Sequence, residues 1–148
     1  MTRLVAASAA AAAVTAAAGD RGLAVTVAVA DAHGALVALV RMDGAAGLSA
    51  RTAQHKIATV LHTGRSTLAV TEELVAGSAA EPGLLLGMVV HGGVVPIPGG
   101  VPLVRAGVLL GALGVSGASS ADDHALAVLG AAEWASRSAA TTPPAARP

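Results

Sequence analysis

The chain contains no cysteine, no tyrosine and no phenylalanine, and only one tryptophan. Without thiols there is no disulfide, no thiolate metal site and no cysteine nucleophile, and without tyrosine there is no phenol to act as a catalytic acid. Charged residues are only 12% of the chain, and nine basic residues balance nine acidic ones. So few cations exclude nucleic acid or an anionic membrane as an electrostatic partner. The longest apolar runs are too short or too weakly hydrophobic to predict a transmembrane helix.

Small residues, above all alanine and glycine, dominate the composition. The 148 residues are 54% apolar and include 38 alanines and 18 glycines. This length suits one core, so we predict a single domain over residues 1–140 and a disordered tail over residues 141–148. Because monomers seldom expose large apolar patches, the apolar excess predicts a homo-oligomer. The alanine-rich start is interpreted as a first helix rather than a signal peptide, so a cytoplasmic rather than secreted protein is expected.

Hydrophobic patterning predicts helices on both sides of two groups of strands. Between residues 23 and 30 apolar residues alternate with a small-residue face of Ala24, Thr26, Ala28 and Ala30, which could lie close against a helix. Hairpin-type connections favour an antiparallel sheet in an α+β fold. The predicted elements are a helix to about residue 19, strands at 23–30 and 35–41 joined by a turn at 31–34, a helix of about 14 residues capped by Ser49, a helix at 69–76, strands at 84–90, 101–104 and 108–115, and a helix from a Ser120 cap to about residue 138.

Five sequence blocks resemble the GlcG/HbpS-like family of bacterial proteins, which is related to the C-terminal domain of PduO-type proteins. The resemblance runs in order from about residue 4 to residue 135. The blocks are VAVAD at 27–31 with Gly34, RMDGA at 41–45, AQHK at 53–56, IPGGVPL at 97–103, and GALGVSG at 111–117 followed by Asp123.

The resemblance implies a profilin-like domain with a five-stranded antiparallel sheet flanked by helices, which assembles into oligomers. Some members of the family bind haem, and others have no assigned activity. The fold is therefore implied more firmly than the function. Lys56 is the only lysine, and a solvated or snorkelling side chain is its default interpretation. The resemblance aligns it with the lysine of the family's helix and implies instead that it faces a pocket and holds a carboxylate or propionate.

Histidines are the main candidates for chemistry in so limited an inventory. His55 and His62 are seven residues apart on one predicted helix, so they share a face but lie too far apart to chelate one ion. With Arg51 and Thr59 they form either a solvated polar ridge or a pocket wall, in which a neutral imidazole is a general base or an axial haem ligand. His91, at the end of a predicted apolar strand, is either bonded to loop backbone or a second candidate iron ligand.

Other polar residues could hold the charge of a ligand. Arg41 and Asp43 end a strand and either line a site or form an ion pair that braces the turn. Ser116 and Gly117 lead into a helix N-terminus, which is either an anion site or an ordinary capped turn.

Two functions from different classes remain open. The first is a small-ligand binder, possibly of haem or another tetrapyrrole, near a subunit interface, with His55, His62, His91, Met42 or Met88 on the iron and Arg41 or Lys56 on the propionates. Without Phe or Tyr, such a pocket would enclose a large flat ring with aliphatic side chains alone. The second is a cofactor-independent isomerase, cyclase or lyase of specialised metabolism. In it His55 or His62 moves a proton, while Arg41, Lys56 and amides near Ser116 stabilise developing negative charge.

Overall fold

The protein's structure, a computed structural model, describes residues 3–78 and 81–139. The predicted tail at 141–148 lies outside the described residues. Within them the chain forms five helices and four strands in the order α1 (Arg3–Asp20), β1 (Thr26–Asp31), β2 (Leu36–Arg41), α2 (Gly47–Thr63), α3 (Thr67–Ser78), α4 (Pro82–Val90), β3 (Gly100–Arg105), β4 (Val108–Ser116) and α5 (Ser120–Ala139).

The four strands form one antiparallel sheet in the order β2-β1-β4-β3. Helices α1 and α5 pack together on one face, and α2 covers the other face. The α+β class with helices flanking an antiparallel sheet is therefore confirmed. The prediction of a fifth strand is wrong for the part of the chain that the structure describes, where the sheet has four.

The segment taken for that strand, residues 84–90, belongs to helix α4. Pro82 begins the helix, where its missing N–H would have had no partner in any case. A short apolar run does not distinguish a strand from a buried helix, and in this run only Val89 and Val90 are β-branched. Met88 packs with Val70 and Val94 in a small cluster between α3 and α4. The helix thus buries part of its apolar surface without joining the sheet.

The main core lies between the sheet and the pair α1 and α5. Alanines of α1 let that helix lie close to its neighbours, and Gly130 of α5 meets Val14 of α1 so closely that a Cβ on Gly130 would lie 2.6 Å from the valine Cγ2. The larger side chains of this core are Val14, Val25, Val27, Val29, Val101, Leu103, Leu113, Val115, Leu126 and Trp134.

Helix α2 rests on the small-residue face predicted for the first strand. Ala28 and Ala30 of β1 pack with Ala53 and Ile57 of α2. The approach is closest over β4, where a Cβ on Gly114 would lie 2.2 Å from the carbonyl oxygen of Ala53. The prediction that this face lies close against a helix is therefore confirmed.

The hairpin turn between β1 and β2 has the predicted chemistry. The Asp31 Oδ1 atom accepts hydrogen bonds from the backbone N–H groups of His33 (2.9 Å) and Ala35 (3.1 Å). Gly34 adopts a φ of 83°, which a glycine reaches without steric cost. These bonds lower the pKa of the Asp31 carboxyl, with the His33 amide contributing most.

Both predicted helix caps are wrong. Helix α2 begins at Gly47, and Ser49 lies inside its first turn with its hydroxyl 2.7 Å from that of Thr26. Helix α5 is capped by Ser119, whose Oγ accepts the N–H of Asp122 at 3.1 Å, while Ser120 is the first helical residue. The N-cap position of α2 is held by Ala46, which makes no side-chain capping bond, and that of α5 by Ser119. Over the described ranges no helix is both long and apolar enough to cross a membrane.

Candidate functional site

The exposed side of α2 carries two of the predicted histidines. His55 and His62 are both exposed, on either side of the exposed Ala58, three and four residues away on the same helix surface. Thr59 does not belong to this polar ridge. It is fully buried, and its Oγ1 accepts the N–H of Val95 at 2.9 Å. The ridge therefore consists of Arg51, His55 and His62.

A shallow apolar cleft of about 90 Å³ runs beside this ridge, between α2 and the β1–β2 hairpin. Gln54 is its one residue with a polar side chain. Leu36 borders the cleft with 49% of its surface exposed. The full lining consists of Ala30, Gly34, Leu36, Gln54, Ile57, Ala58 and Leu61.

Arg41 lies at the opposite end of β2 from the cleft, on the same face of the sheet. Its β1 partner is Thr26, whose side chain points to α2, and residues paired across strands share a face. The exposed guanidinium donates a 2.6 Å hydrogen bond from Nη1 to the carbonyl oxygen of Ala45. Asp43 is also exposed. Arg41 thus braces the turn before α2 through a carbonyl group, rather than through the predicted ion pair with Asp43.

Ser116 and Gly117 lie at the same end of the sheet, since Ser116 pairs with Thr26 on its other side. Ser116 is buried, and Gly117 faces the backbone of residues 24–25 so closely that a Cβ would lie 2.8 Å from the Ala24 oxygen. In the loop that follows, the Ala118 N–H already donates to Asp123 Oδ1 at 3.0 Å. The chain's own carboxylate therefore already accepts one amide of this loop, and the anion-binding roles of Ser116 and Gly117 stay predictions.

Lys56 points into the protein, away from the exposed histidines. Its side chain is fully buried, and Nζ lies 2.8 Å from Asp123 Oδ2 and 2.8 Å from the Val115 carbonyl oxygen. Burial lowers the pKa of the amine, and the hydrogen bond and charge of Asp123 offset part of that effect. Gly99 lies against this pair, where a Cβ would come within 2.8 Å of Nζ. The lysine thus joins α2, the end of β4 and the start of α5.

Asp123 is the partner of Lys56 that the sequence reasoning missed. From the sequence it was identified only as part of a family block. Two signals could have identified it: Lys56 is the chain's only lysine, and a buried ammonium requires a carboxylate partner. The acid–base roles predicted for His55, His62 and Arg41, all exposed, and for buried Lys56 stay predictions.

The remaining candidates lie apart from the cleft. His91 follows the last residue of α4 and is exposed, so its predicted position at the end of a buried strand is wrong. The side chain of Met88 packs in the α3–α4 cluster, and that of Met42 packs against the main core. His124, on α5, has a buried Nδ1 without a hydrogen-bond partner among the described residues.

No three His, Asp or Glu side chains within residues 3–78 and 81–139 come together closely enough to hold a metal ion. What the sheet and α2 do bring together is an apolar cleft, two exposed imidazoles on the neighbouring surface of α2 and two arginines toward one end. Arg51 lies three residues before Gln54 and seven before Ala58, so it shares their side of the helix. This arrangement offers an apolar surface, neutral nitrogen ligands and cationic donors for carboxylates.

Comparisons with known proteins agree with this fold. Residues 2–132 match the family model described as "Haem degrading protein HbpS-like". The Klebsiella pneumoniae protein ORFY shares 29% identity, with a TM-score of 0.79 over 91% of this chain and 90% of that one. A double mutant of HbpS from Streptomyces reticuli shares 32% identity, with a TM-score of 0.75 over 89% and 85% of the two chains.

A third solved structure is described as a complex of PduOC with heme. It shares 31% identity, with a TM-score of 0.72 over 85% of this chain and 89% of that one. A search of curated proteins gave no significant match.

Proposed function

Because the chain belongs to the HbpS-like family, we propose that it binds haem or a closely related tetrapyrrole on the α2 side of its sheet. The ligand would lie along the cleft, with His55 or His62 as the axial ligand of the iron. Arg41 and Arg51 would pair with its carboxylates. The proposal covers binding, and the single observation that carries it is the pair of exposed imidazoles on the helix α2 that also walls an apolar cleft.

The family supports the chemical class of the ligand. The PduOC domain, 31% identical over 85% of this chain, was crystallised with heme. The matching family model is described as a haem-degrading protein. Conservation of fold alone does not carry a ligand from one protein to another, so the residues of this chain have to fit the group.

The donor atoms of this chain fit haem iron. An imidazole is a common axial ligand, and it must be free to approach the metal. His55 and His62 are exposed on α2, and neither side chain is held by a hydrogen bond among the described residues. His91 is also exposed but lies at the end of α4, outside the cleft lining. We therefore place His55 and His62 before His91 as iron ligands.

The cleft fits only part of such a ligand. Its volume of about 90 Å³ is well below the roughly 300–1,000 Å³ of a typical small-molecule pocket. Leu36, Ala58 and Leu61 supply an apolar wall for one side of a flat ring, and no aromatic side chain stacks against it. Cationic groups follow toward the start of α2, where the Arg41 and Arg51 guanidinium groups are exposed. One copy thus offers a half-site with an apolar end and a cationic end.

The test is a haemin titration of the purified protein followed by absorbance. We expect a saturable, shifted Soret band. We expect one of the two variants His55→Ala and His62→Ala to weaken binding at least tenfold, because it removes the axial nitrogen of the iron, and the other variant to bind nearly as the wild type does. The same titration of His91→Ala tests the third imidazole. The matched control is His124→Ala, because His124 lies on α5, on the opposite face of the sheet.

Two outcomes would overturn the proposal in different ways. If haemin gives no saturable band, the protein does not bind haem. If the band is unchanged in His55→Ala, His62→Ala and His91→Ala, the iron is not bound by these histidines. Following the Soret band for several hours with a reductant then separates stable binding from degradation of the ring.

A further inference from the structure

The first turn of helix α2 carries hydrogen-bond donors that the rest of the chain leaves unused. Its N-cap residue, Ala46, makes no side-chain capping bond, and the turn contains no acidic residue. Within residues 3–78 and 81–139, nothing accepts the N–H groups of Gly47 and Leu48. Free amides of this kind, together with the helix dipole, give the start of a helix a partial positive charge.

The start of α5 shows how this chain satisfies a helix start with its own groups. There the Ser119 Oγ accepts the Asp122 N–H at 3.1 Å, and two carboxylates, those of Asp122 and Asp123, lie in the first turn. The Asp123 Oδ1 also accepts the Ala118 N–H at 3.0 Å. Hydroxyl caps and first-turn acids are the usual partners of such amides. Helix α2 has neither, so an anion at its start has to come from elsewhere.

A guanidinium adds a full positive charge beside the start of α2. The Arg41 Nη1 donates to the carbonyl oxygen of Ala45, two residues before the helix begins. A cation beside a helix N-terminus is electrostatically unfavourable unless an anion lies between them. Arg41 is exposed, and its other N–H groups remain available as donors. Asp43, the nearest acid in the sequence, forms no ion pair with it in the part of the chain that the structure describes.

Below the same turn, a buried hydroxyl lacks a partner. Ser116 is only 8% exposed, and its Oγ makes no hydrogen bond among the described residues. Because Ser116 pairs with Thr26 and follows Gly114 by two residues, its side chain lies on the face that α2 covers. Thr26 on that face already reaches the first turn of α2, since its hydroxyl is 2.7 Å from the Ser49 Oγ. Burying a hydroxyl without a hydrogen bond is costly, so a partner for Ser116 is expected at the same place.

The two neighbouring hydroxyls have no proton to offer a ligand. Ser49 donates its one hydroxyl proton to the Ala46 carbonyl oxygen, so in the contact between Ser49 and Thr26 the threonine is the donor. Both protons are therefore used inside the chain. Of these three hydroxyls, that of Ser116 is the one that can donate to a ligand.

We propose that the α2 anion site, formed by the Gly47 and Leu48 N–H groups, the Ser116 hydroxyl and the Arg41 guanidinium, binds one oxyanion group, a carboxylate or a phosphate. An oxyanion has several acceptor oxygens, so it can take donors from the helix, the sheet and the guanidinium together. Gly47 precedes His55 by about 12 Å along the helix axis, so the anion site is separate from the proposed iron ligand. That the oxyanion is a carboxylate of the tetrapyrrole rests on the proposed function, whereas the anion site itself does not.

The test is a titration of isotope-labelled protein with inorganic phosphate or with propionate, followed by amide chemical shifts at constant ionic strength in chloride. We expect saturable shifts of the Gly47 and Leu48 amides, because their N–H groups become hydrogen-bonded. Arg41→Gln should weaken binding about tenfold and Ser116→Ala about fivefold, because each removes a hydrogen bond to a charged group. The matched control is Arg105→Gln, since Arg105 is also an exposed arginine that ends an edge strand, and this variant should bind as the wild type does.

Several outcomes would overturn the α2 anion site. They are the absence of saturable shifts with either anion, shifts that chloride alone reproduces, and binding that Arg41→Gln and Ser116→Ala leave unchanged. If a variant fails to fold, the wild-type shifts at Gly47 and Leu48 decide. Tighter binding of propionate identifies the ligand group as a carboxylate, and tighter binding of phosphate identifies it as a phosphate.

A haemin titration separates this site from the proposed function. A protein that binds phosphate or propionate here without a haemin band keeps the α2 anion site and refutes haem binding. A histidine-dependent haemin band without binding of either anion does the reverse.

Discussion

Lys56 combines full burial with a charge, which is costly unless the charge is paired and hydrogen-bonded. Both conditions are met, since Nζ is 2.8 Å from the Asp123 carboxylate and 2.8 Å from the Val115 carbonyl oxygen. Asp123 in turn accepts the Ala118 N–H with its other oxygen. The pair thus connects the two helical layers around the end of the sheet. Its contribution to the free energy of unfolding depends on both partners being present.

We expect Asp123→Ala to lower the free energy of unfolding by about 3–5 kcal/mol, because it leaves a buried ammonium without a counterion. The double variant Lys56→Met with Asp123→Ala should lose clearly less than the sum of the two single variants, because no charge is left unpaired. Urea denaturation of all four proteins at neutral pH measures this difference. Additive losses would show that the pair is not energetically coupled.

The stability of Asp123→Ala relative to the wild type should depend on pH in a definite direction. Burial lowers the pKa of Lys56, and in Asp123→Ala no carboxylate offsets it. As the pH rises from 7 toward 10, the folded variant releases this proton before the unfolded chain does, so its stability rises relative to the wild type. The stability deficit of Asp123→Ala should therefore shrink over this range. A constant or growing deficit would contradict the assignment.

The sequence allowed part of this site to be predicted. Spacing placed His55 and His62 on one side of a helix, because that follows from local helical geometry alone. It did not show that Lys56 turns inward, because its partner lies 67 residues later and meets it only after the sheet has formed. The burial of Thr59 could not be predicted for the same reason. It depends on the segment around Val95, which is distant in the sequence.

At the level of elements, alternation was a reliable guide and apolar runs were not. The small face of β1 predicted close contact with a helix, and Ala28 and Ala30 lie under α2. The run at 84–90 was compatible with a strand or a helix, and Pro82 favours the helix by occupying its first turn. Alternation reports which face is buried, whereas an unbroken apolar run reports only that burial occurs.

Gly114 decides how closely α2 can approach the sheet. We expect Gly114→Ala to lower the free energy of unfolding by about 3 kcal/mol or more, because its Cβ would lie 2.2 Å from the Ala53 carbonyl oxygen, and backbone atoms yield little. Thermal and urea denaturation measure the loss.

The matched control is Gly77→Ala in α3, where a Cβ meets nothing within 4 Å. It should stabilise the protein by about 0.5–1 kcal/mol through helix propensity alone. Similar effects of the two substitutions would contradict a special role for the contact between α2 and β4.

At the level of the whole molecule, the small residues that let the layers pack closely also leave little room inside. Alanines of α1, and glycines of β4 and α5, bring helices close to their neighbours. The cleft beside α2 has a volume of only about 90 Å³. The apolar surplus noted in the composition is exposed instead, in part along β2. A ligand as large as a tetrapyrrole therefore needs a wall beyond this cleft.

The stoichiometry of ligand binding tests where that wall comes from. If another copy of the chain supplies it, haemin should saturate at one molecule per two chains and should strengthen the association of the copies, because a ligand that binds only the assembled form stabilises it. Titration by absorbance combined with light scattering measures both values. Saturation at one haemin per chain, with no change in molar mass, would place a complete site within one copy.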